Sequence, residues 1–178
     1  MSQSQTYQIN DLVNACKRGD REAYKTLYNQ YADAMYNVCY RMTENKHDAE
    51  DVLQESFLSA FSNIQQYSAN STFGAWLKRI VINTSLNFLK RKKINFVEFP
   101  EYKIEEESGN EQFVAQDLGR IKKAITKLPN GYKQIIILYL IEGYDHTEIG
   151  EILEISINTS KSQYSRAKKK LIQILKEH

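Results

Sequence analysis

The stretch Asp145-His-Thr-Glu-Ile-Gly-Glu-Ile-Leu-Glu-Ile-Ser-Ile157 contains the signals for two helix starts and the tight turn between them. Asp145 and Glu148 have the spacing of a capping box, in which each side chain accepts a hydrogen bond from the other residue's backbone N–H. Ser156 is a favourable N-cap for the following helix. The stretch therefore predicts a helix, a short turn and a second helix.

The first of these helices, predicted over 146–153, is short and amphipathic. Ile149, Ile152 and Leu153 supply its buried side, and the small Gly150 predicts that a partner helix approaches closely. Glu154 stands in the turn that follows. A residue other than glycine fits there at modest cost if the turn needs no positive φ.

The second helix, predicted over 157–177, separates into two sides when drawn at about 100° per residue. The side predicted to pack inward consists of Ile157, Ser160, Tyr164, Ala167, Leu171 and Ile174. The outward candidates, including the N-cap, are Ser156, Asn158, Thr159, Lys161, Ser162, Gln163, Ser165, Arg166 and Lys169. Short donors and acceptors suit base edges in the major groove, and cations suit phosphates. A solvated tail is the alternative for the terminal lysines, but the capped helices and polar outer side together favour DNA contact.

Charge is distributed unevenly along the 178 residues, although the net charge is only +2. Residues 1–95 carry 12 Lys and Arg against 9 Asp and Glu, and residues 119–178 carry 11 against 6. Between them, residues 96–118 carry 1 against 7. This pattern is typical of two polyanion-binding modules on an acidic connector, but solvated surface charge gives similar sums in many ordinary proteins.

The chain is predicted to be all-α, because apolar residues recur near every 3.6 positions and only 2 prolines and 7 glycines occur. The predicted helices cover 9–18, 21–42, 46–65, 72–93, 113–127, 131–142, 146–153 and 157–177. We expect two small helical domains, 1–95 and 113–178, joined by a flexible acidic linker over 96–112.

Several functional classes are disfavoured by the sequence. The longest apolar run, Ile135–Ile141, is much shorter than the roughly 20 residues that a bilayer requires, and the N-terminus lacks an export signal. A cytoplasmic protein without membrane insertion is expected. Cys16 and Cys39 stand apart and are expected to be buried reduced thiols. We find no phosphate-binding loop, nucleophile triad or metal-spaced cluster, so no enzymatic activity, cofactor or metal site is predicted.

Six segments, taken in their order and spacing, resemble the sigma factors of bacterial RNA polymerase. They match the two-domain extracytoplasmic-function (ECF) group of the sigma-70 family, from about Asn10 to Lys176. The segments are Glu22–Tyr28, Asp48–Phe57, Thr72–Ile80, Leu128-Pro129, Glu142–Ile149 and Thr159–Ala167. Glu154 replaces the family's usual turn glycine. Ser160 and Gln163 replace its commoner Val and Arg, so the bases read by the last helix remain open.

This resemblance implies roles for particular residues. It implies that the clamp helices of the largest subunit of core RNA polymerase are contacted by Asp48, Asp51, Gln54 and Glu55. Capture of a flipped base of the minus-ten element is implied for Ser68, Asn70, Ser71 and Thr72, and contact with the separated strand for Lys78, Arg79, Asn83, Asn87 and Lys90. Trp76 is expected in the core. The resemblance also implies that the outward residues of the last helix recognise the minus-thirty-five element. It further implies an anti-sigma factor as a partner.

Two alternatives to a sigma factor account for part of these features. A helix-turn-helix regulator that binds operator DNA without polymerase accounts for the C-terminal helices but leaves the first domain and its acidic face unexplained. A helical metalloenzyme is a weaker alternative. Asp51 and Glu55 have suitable spacing, but the partner motifs that a dimetal bundle needs on other helices are missing.

Overall fold

The computed structural model describes residues 3–93 and 118–176, with side chains over 9–92 and 119–176. The first part contains α1 (Gln3–Lys17), α2 (Arg21–Thr43), α3 (Lys46–Ser62), a 3-10 turn (Ile64–Gln66) and α4 (Phe73–Lys93). The second contains α5 (Leu118–Thr126), α6 (Asn130–Ile136), a π-helical segment (Ile137–Ile141), α7 (His146–Leu153) and α8 (Ile157–Lys176). The predicted all-α fold is confirmed.

The described residues belong to two compact units, one containing α1 to α4 and the other α5 to α8. Two helical domains were predicted, and this part of the prediction is confirmed. The predicted linker over 96–112 and the start of the predicted helix 113–127 lie outside the described residues. The domain boundaries at 95 and 113 therefore stay predictions.

The first unit is a bundle in which α2, α3 and α4 pack against one another and α1 packs on α2. Leu27, Phe57, Phe73 and Leu77 lie at its centre and are almost completely buried. Burying each such side chain contributes roughly 1.5–3 kcal/mol. Because the apolar sides of the helices face this core, the polar sides of α3 and α4 face solvent.

The third helix ends earlier than predicted, at Ser62 instead of residue 65. The reason is the side chain of Asn63, whose Nδ2 donates to the Ser59 carbonyl at 2.9 Å and whose Oδ1 accepts from Gln66 Nε2 at 2.9 Å. Side-chain amides that bond nearby backbone groups compete with the helical pattern in this way. The chain then leaves α3 through the 3-10 turn and enters the loop before α4.

In the second unit, α5, α6 and α7 all pack against α8. Ser160, Ala167, Leu171 and Ile174 are buried, as the helical wheel predicted. The prediction for Ile157 was wrong, because its side chain is 43% exposed. As the first residue of α8, it lies at the edge of the packed side, where the neighbouring helices cover it incompletely.

The predicted helix 131–142 changes its hydrogen-bonding register halfway along. The Glu142 N–H donates to the Ile137 carbonyl at 2.9 Å, which is the wider π-helical pattern. Leu138 is buried in this segment, whereas Leu140 and Ile141 are 54% and 43% exposed. The segment leads directly into the turn before α7.

The capping box at the start of α7 is confirmed. Asp145 Oδ1 accepts from the N–H groups of Thr147 and Glu148 at 2.7 and 2.8 Å, and Glu148 Oε2 accepts from the Asp145 N–H at 2.9 Å. The interpretation of Gly150 needs correction. A Cβ at this position would lie 2.9 Å from the carbonyl oxygen of Ile155, so the close neighbour is the turn rather than a partner helix.

The backbone of Glu154 is left-handed, with φ 58° and ψ 42°. The condition under which a residue other than glycine fits at modest cost, that the turn needs no positive φ, is therefore not met. The turn must reverse the chain while the Ile155 N–H donates to the Gly150 carbonyl at 2.9 Å, and this geometry ends α7. A residue with a Cβ adopts such a conformation at a cost of about 1–2 kcal/mol.

Replacing Glu154 with glycine should therefore raise the free energy of unfolding by about 0.5–1 kcal/mol, since glycine relieves the strain but is more flexible in the unfolded chain. Urea denaturation of the full chain measures the change. The matched control is Glu151→Gly, inside α7, which should lower the free energy of unfolding by about 1 kcal/mol. Equal destabilisation by both substitutions would contradict the account of the turn.

Candidate docking face and nucleic-acid interface

The four predicted polymerase contacts lie along α3. We call Asp48, Asp51, Gln54 and Glu55 the α3 acidic face. Asp51, Gln54 and Glu55 are exposed, while the Asp48 side chain is only 16% exposed. Their spacing of three, four and seven residues places them on neighbouring turns of the same outer side.

The last turn of α4 is paired with both ends of the α3 acidic face. Arg91 Nη2 lies 2.9 and 3.2 Å from the two carboxylate oxygens of Glu55, and Lys92 Nζ forms an ion pair with Asp48. An exposed ion pair such as Arg91–Glu55 typically contributes less than about 1 kcal/mol, whereas the Asp48 carboxylate of the second pair is largely covered. A basic partner can therefore replace Arg91 at little cost.

A residue that sequence reasoning missed also lies on this face. Among the exposed large hydrophobic side chains of the described residues, Leu58 has the largest exposed fraction, 70%. It follows Glu55 by three residues and Gln54 by four, so it is their neighbour on the helix surface. The sequence did contain a signal for this exposure, because Leu58 lies off the apolar stripe of Leu53 and Phe57. An apolar side chain that a partner can bury thus lies beside the α3 acidic face.

The predicted base-capturing residues Ser68, Asn70, Ser71 and Thr72 are brought together in one exposed loop. Both ends of this loop are fixed. The hydroxyl of Tyr67 donates to the Ser71 carbonyl at 2.7 Å, and Thr72 Oγ1 accepts from the Ala75 N–H at 3.2 Å as the N-cap of α4. The loop is therefore short, polar and tied to the bundle.

Aromatic rings support this loop from beneath. Tyr67 lies 5.6 Å from Phe73 and 5.4 Å from Trp76, measured between ring centroids. Trp76 was expected in the core and is half-buried, in contact with both rings. Burial raises the pKa of Tyr67, and burial together with the neighbouring Tyr67 raises the pKa of Tyr31. The Tyr67 hydroxyl therefore stays protonated as the donor to the loop.

The outer side of α4 carries most of the predicted strand contacts. Arg79, Asn83, Asn87 and Lys90 follow one another at intervals of three or four residues and form one strip. Lys78 is not part of it. It lies roughly 100° around the helix from Arg79, on the side that carries buried residues of the bundle.

The outward side of α8 has the exposure that DNA contact requires. Its exposed residues are Asn158, Lys161, Ser162, Ser165, Arg166 and Lys169, and its half-buried ones are Thr159 and Gln163. Two of its hydroxyl groups already form hydrogen bonds with the backbone of the helix. Ser156 Oγ accepts from the Thr159 N–H at 3.0 Å as the N-cap, and Ser162 Oγ donates to the Thr159 carbonyl at 3.0 Å. Asn158, Ser165 and Arg166 remain the best placed for base contact.

The terminal lysines of α8 are not equivalent. Lys169 is exposed, Lys168 is half-buried, and Lys170 Nζ donates to Gln173 Oε1 at 3.1 Å. The phosphate contacts available on this side are therefore Lys161, Arg166 and Lys169. Of the run Lys168–Lys170, this set includes only Lys169.

The two cysteines are free and buried, as predicted. Burial raises the pKa of Cys39 to about 12, and burial with the nearby Asp20 raises the pKa of Cys16 to about 11. Both thiols are therefore protonated near neutral pH. Within residues 3–93 and 118–176, no group of three or more His, Cys, Asp or Glu could hold a metal ion. None of the helices described there is long and apolar enough to cross a membrane.

Comparison with known proteins places both units in one family. Residues 27–94 match the family model for sigma-70 region 2, and residues 118–171 match that for sigma-70 region 4. The ECF RNA polymerase sigma factor SigW of Bacillus subtilis is 32% identical, over 95% of this chain and 97% of the relative. The chain belongs to the ECF sigma factors. A second ECF sigma factor, SigE of Mycolicibacterium smegmatis, is 33% identical over 90% of this chain and 65% of that protein.

Solved structures share the fold of this sigma factor. A Bartonella quintana sigma factor, RpoE, in complex with the anti-sigma factor NepR has 23% sequence identity and a TM-score of 0.61, and the match covers 86% of this chain and 96% of that one. CnrH, in complex with the cytosolic domain of CnrY, has 21% identity and a TM-score of 0.59, with 93% and 96% coverage. The family assignment favours a sigma factor over a regulator that acts without polymerase.

Proposed function

We propose that this sigma factor uses three surfaces to start transcription at its promoters. The α3 acidic face binds the clamp helices of the largest subunit of core polymerase. The loop before α4 and the outer strip of α4 open and read the minus-ten element, and α8 reads the minus-thirty-five element. The observation that carries the proposal is the α3 acidic face with its exposed Leu58, because a regulator that binds only DNA has no use for it.

Docking on polymerase is proposed to be an exchange of partners. In the free protein, Glu55 and Asp48 are neutralised by Arg91 and Lys92. Cations on the clamp helices would take their place, and Leu58 would be buried between the two proteins. Complementary charge sets the choice of partner and the rate of association, and the buried apolar contact adds affinity.

Opening of the minus-ten element requires that a base leave the stack, which costs a few kcal/mol. The loop residues Ser68, Asn70 and Ser71 offer hydrogen-bonding groups to such a base. Their loop is held in place by Tyr67 and Thr72, so little ordering is needed when the base enters. The strip of Arg79, Asn83, Asn87 and Lys90 then lies along the helix that follows and would contact the separated strand.

The cations on α8 predict the dependence of DNA binding on salt. Each phosphate neutralised by the protein contributes about −0.9 to the slope of log affinity against log salt concentration. Lys169→Gln should therefore make the slope for the polymerase holoenzyme shallower by about 0.9, and should weaken binding equally on all sequences. Titrations of labelled promoter DNA at several salt concentrations measure this slope.

The control for that substitution is Lys170→Gln, since Lys170 is already bonded to Gln173. It should leave the slope unchanged. A slope that changes equally for both variants, or for neither, would contradict the proposed phosphate contact of Lys169.

Several further properties are part of the proposal. The protein carries out no bond chemistry itself and uses no cofactor or metal. It acts in the cytoplasm as domains 1–95 and 113–178 on either side of the linker 96–112. An anti-sigma factor is proposed as a partner, supported by the likeness to a sigma factor solved with one. Co-purification from native cells tests that partner.

Binding selection tests the main proposal. Purified protein with core polymerase should select, from random duplex DNA, fragments that carry two separated sequence elements. The protein without core polymerase should select neither efficiently. Selection of one operator-like element by the protein alone, with no binding to core polymerase, would overturn the proposal in favour of a regulator.

A further inference from the structure

Ser160 is completely buried and polar, and its partner lies on another helix. Its exposed fraction is 0%, and its Oγ lies 2.9 Å from Nδ1 of His146, the first residue of α7. Ser160 sits in the first part of α8, between Thr159 and Lys161 of the outward side. The hydrogen bond therefore links the start of α7 to the segment of α8 that carries the candidate base contacts.

The ring of His146 is also held by two tyrosines. It stacks on Tyr139, at 4.7 Å between centroids and 21° between planes, and lies 5.6 Å from Tyr164. Tyr139 and Tyr164 contact each other at 4.4 Å. Tyr139 belongs to the π-helical segment and Tyr164 to α8. The cluster thus joins three consecutive elements of the second unit around one imidazole.

We propose that His146 is a positioning residue for promoter recognition, which acts through Ser160 to fix the rotation of α8 about its own axis. The inference rests on the proposed reading of the minus-thirty-five element by α8. In this view Ser160 contacts no base. It faces inward and determines where Asn158 and Arg166, on the other side of the helix, are presented.

The geometry of a helix explains why rotation matters. The side chains of α8 end about 5–6 Å from its axis, so a rotation of only 10° moves their ends by about 1 Å. Hydrogen-bond distances span a range of only about 0.5 Å, so such a shift disrupts base contacts. Apolar packing of Ala167, Leu171 and Ile174 resists sliding but is not directional, whereas a hydrogen bond specifies one rotation.

Four variants of the full chain, assembled with core polymerase, test this inference. His146→Phe keeps a ring between the tyrosines and removes Nδ1, and Ser160→Val removes the hydroxyl. The double variant removes both partners, and His146→Asn keeps a hydrogen-bonding amide near the position of Nδ1. The readout is the ratio of affinities for a selected promoter fragment and for the same fragment with its minus-thirty-five element scrambled.

The single variants His146→Phe and Ser160→Val should each lower this ratio about tenfold, because each removes the hydrogen bond and leaves the other polar group of the pair without its partner. The double variant should return to within about threefold of the original ratio, since two apolar groups can replace a hydrogen-bonded pair. His146→Asn should retain more discrimination than His146→Phe. Thermal melting establishes that each variant is folded, and Ser160→Ala replaces Ser160→Val if the larger side chain prevents folding.

Unchanged ratios in both single variants, with only a lower melting temperature, would overturn the inference and leave the pair a packing feature. Additive losses in the double variant would also overturn it. If scrambling the minus-thirty-five element has no effect on the original protein, the assignment of α8 itself fails, and the inference fails with it. That outcome is distinct, because it appears before any substitution is made.

Discussion

Replacing Asp51 with arginine should weaken the affinity of the sigma factor for core RNA polymerase by about 100-fold or more, since juxtaposed like charges cost several kcal/mol. Asp51 is exposed in the middle of the α3 acidic face, between Asp48 and Glu55, which have intramolecular partners. An arginine there would face the cations that the proposed docking places opposite the α3 acidic face. Because the side chain is exposed, the free energy of unfolding should change by less than about 0.5 kcal/mol.

Fluorescence titration of labelled protein with core polymerase at fixed salt measures this affinity. Asp33→Arg is the matched control, because Asp33 is exposed on α2 and the substitution makes the same change of charge. The control should bind within about threefold of the original protein, because Asp33 is not one of the residues of the proposed docking face. Equal weakening by both substitutions would show that net charge, and not the α3 acidic face, governs docking.

The second large effect is expected at Arg166. Its replacement by alanine should lower the affinity of the holoenzyme for its selected promoter by about 1–3 kcal/mol, or roughly 5- to 150-fold. Arg166 is exposed on the outward side of α8, and a guanidinium can donate two parallel hydrogen bonds to one guanine. Binding titrations with the selected promoter and with a version scrambled at the minus-thirty-five element measure the loss.

Arg166→Lys distinguishes base reading from phosphate contact. Lysine keeps the charge but loses the planar pair of donors, so it should recover little of the specific affinity if Arg166 contacts a guanine. Full recovery with lysine, together with equal losses on selected and scrambled DNA, would make Arg166 a phosphate contact. The base preference of α8 would then rest on Asn158 and Ser165.

Local signals in the sequence predicted much of the second unit. The capping box of Asp145 and Glu148 and the N-cap Ser156 involve residues within three positions of each other, so their geometry follows from the chain itself. The inward side of α8 follows from helical periodicity for the same reason. The wheel placed Ser160 on that side correctly, although a serine is not an obvious core residue.

The remaining features depend on contacts between distant parts of the chain. Periodicity cannot show that Ser160 meets His146, 14 residues away, or that Glu55 meets Arg91, 36 residues away. The positive φ of Glu154 arises from the reversal of the chain between α7 and α8. Helical periodicity does not predict the backbone angles of that turn. These tertiary contacts determine which charges are open to a partner and how α8 is held, so they refine the functional assignment.

Run-off transcription from a promoter selected by the holoenzyme tests the central claim most directly. Core polymerase with this protein should give a discrete transcript that core polymerase alone does not give. Asp51→Arg should abolish that transcript, and scrambling the minus-thirty-five element should reduce it. No transcript above that of core polymerase alone, from a template that the holoenzyme binds, would contradict the assignment of this chain as an active sigma factor.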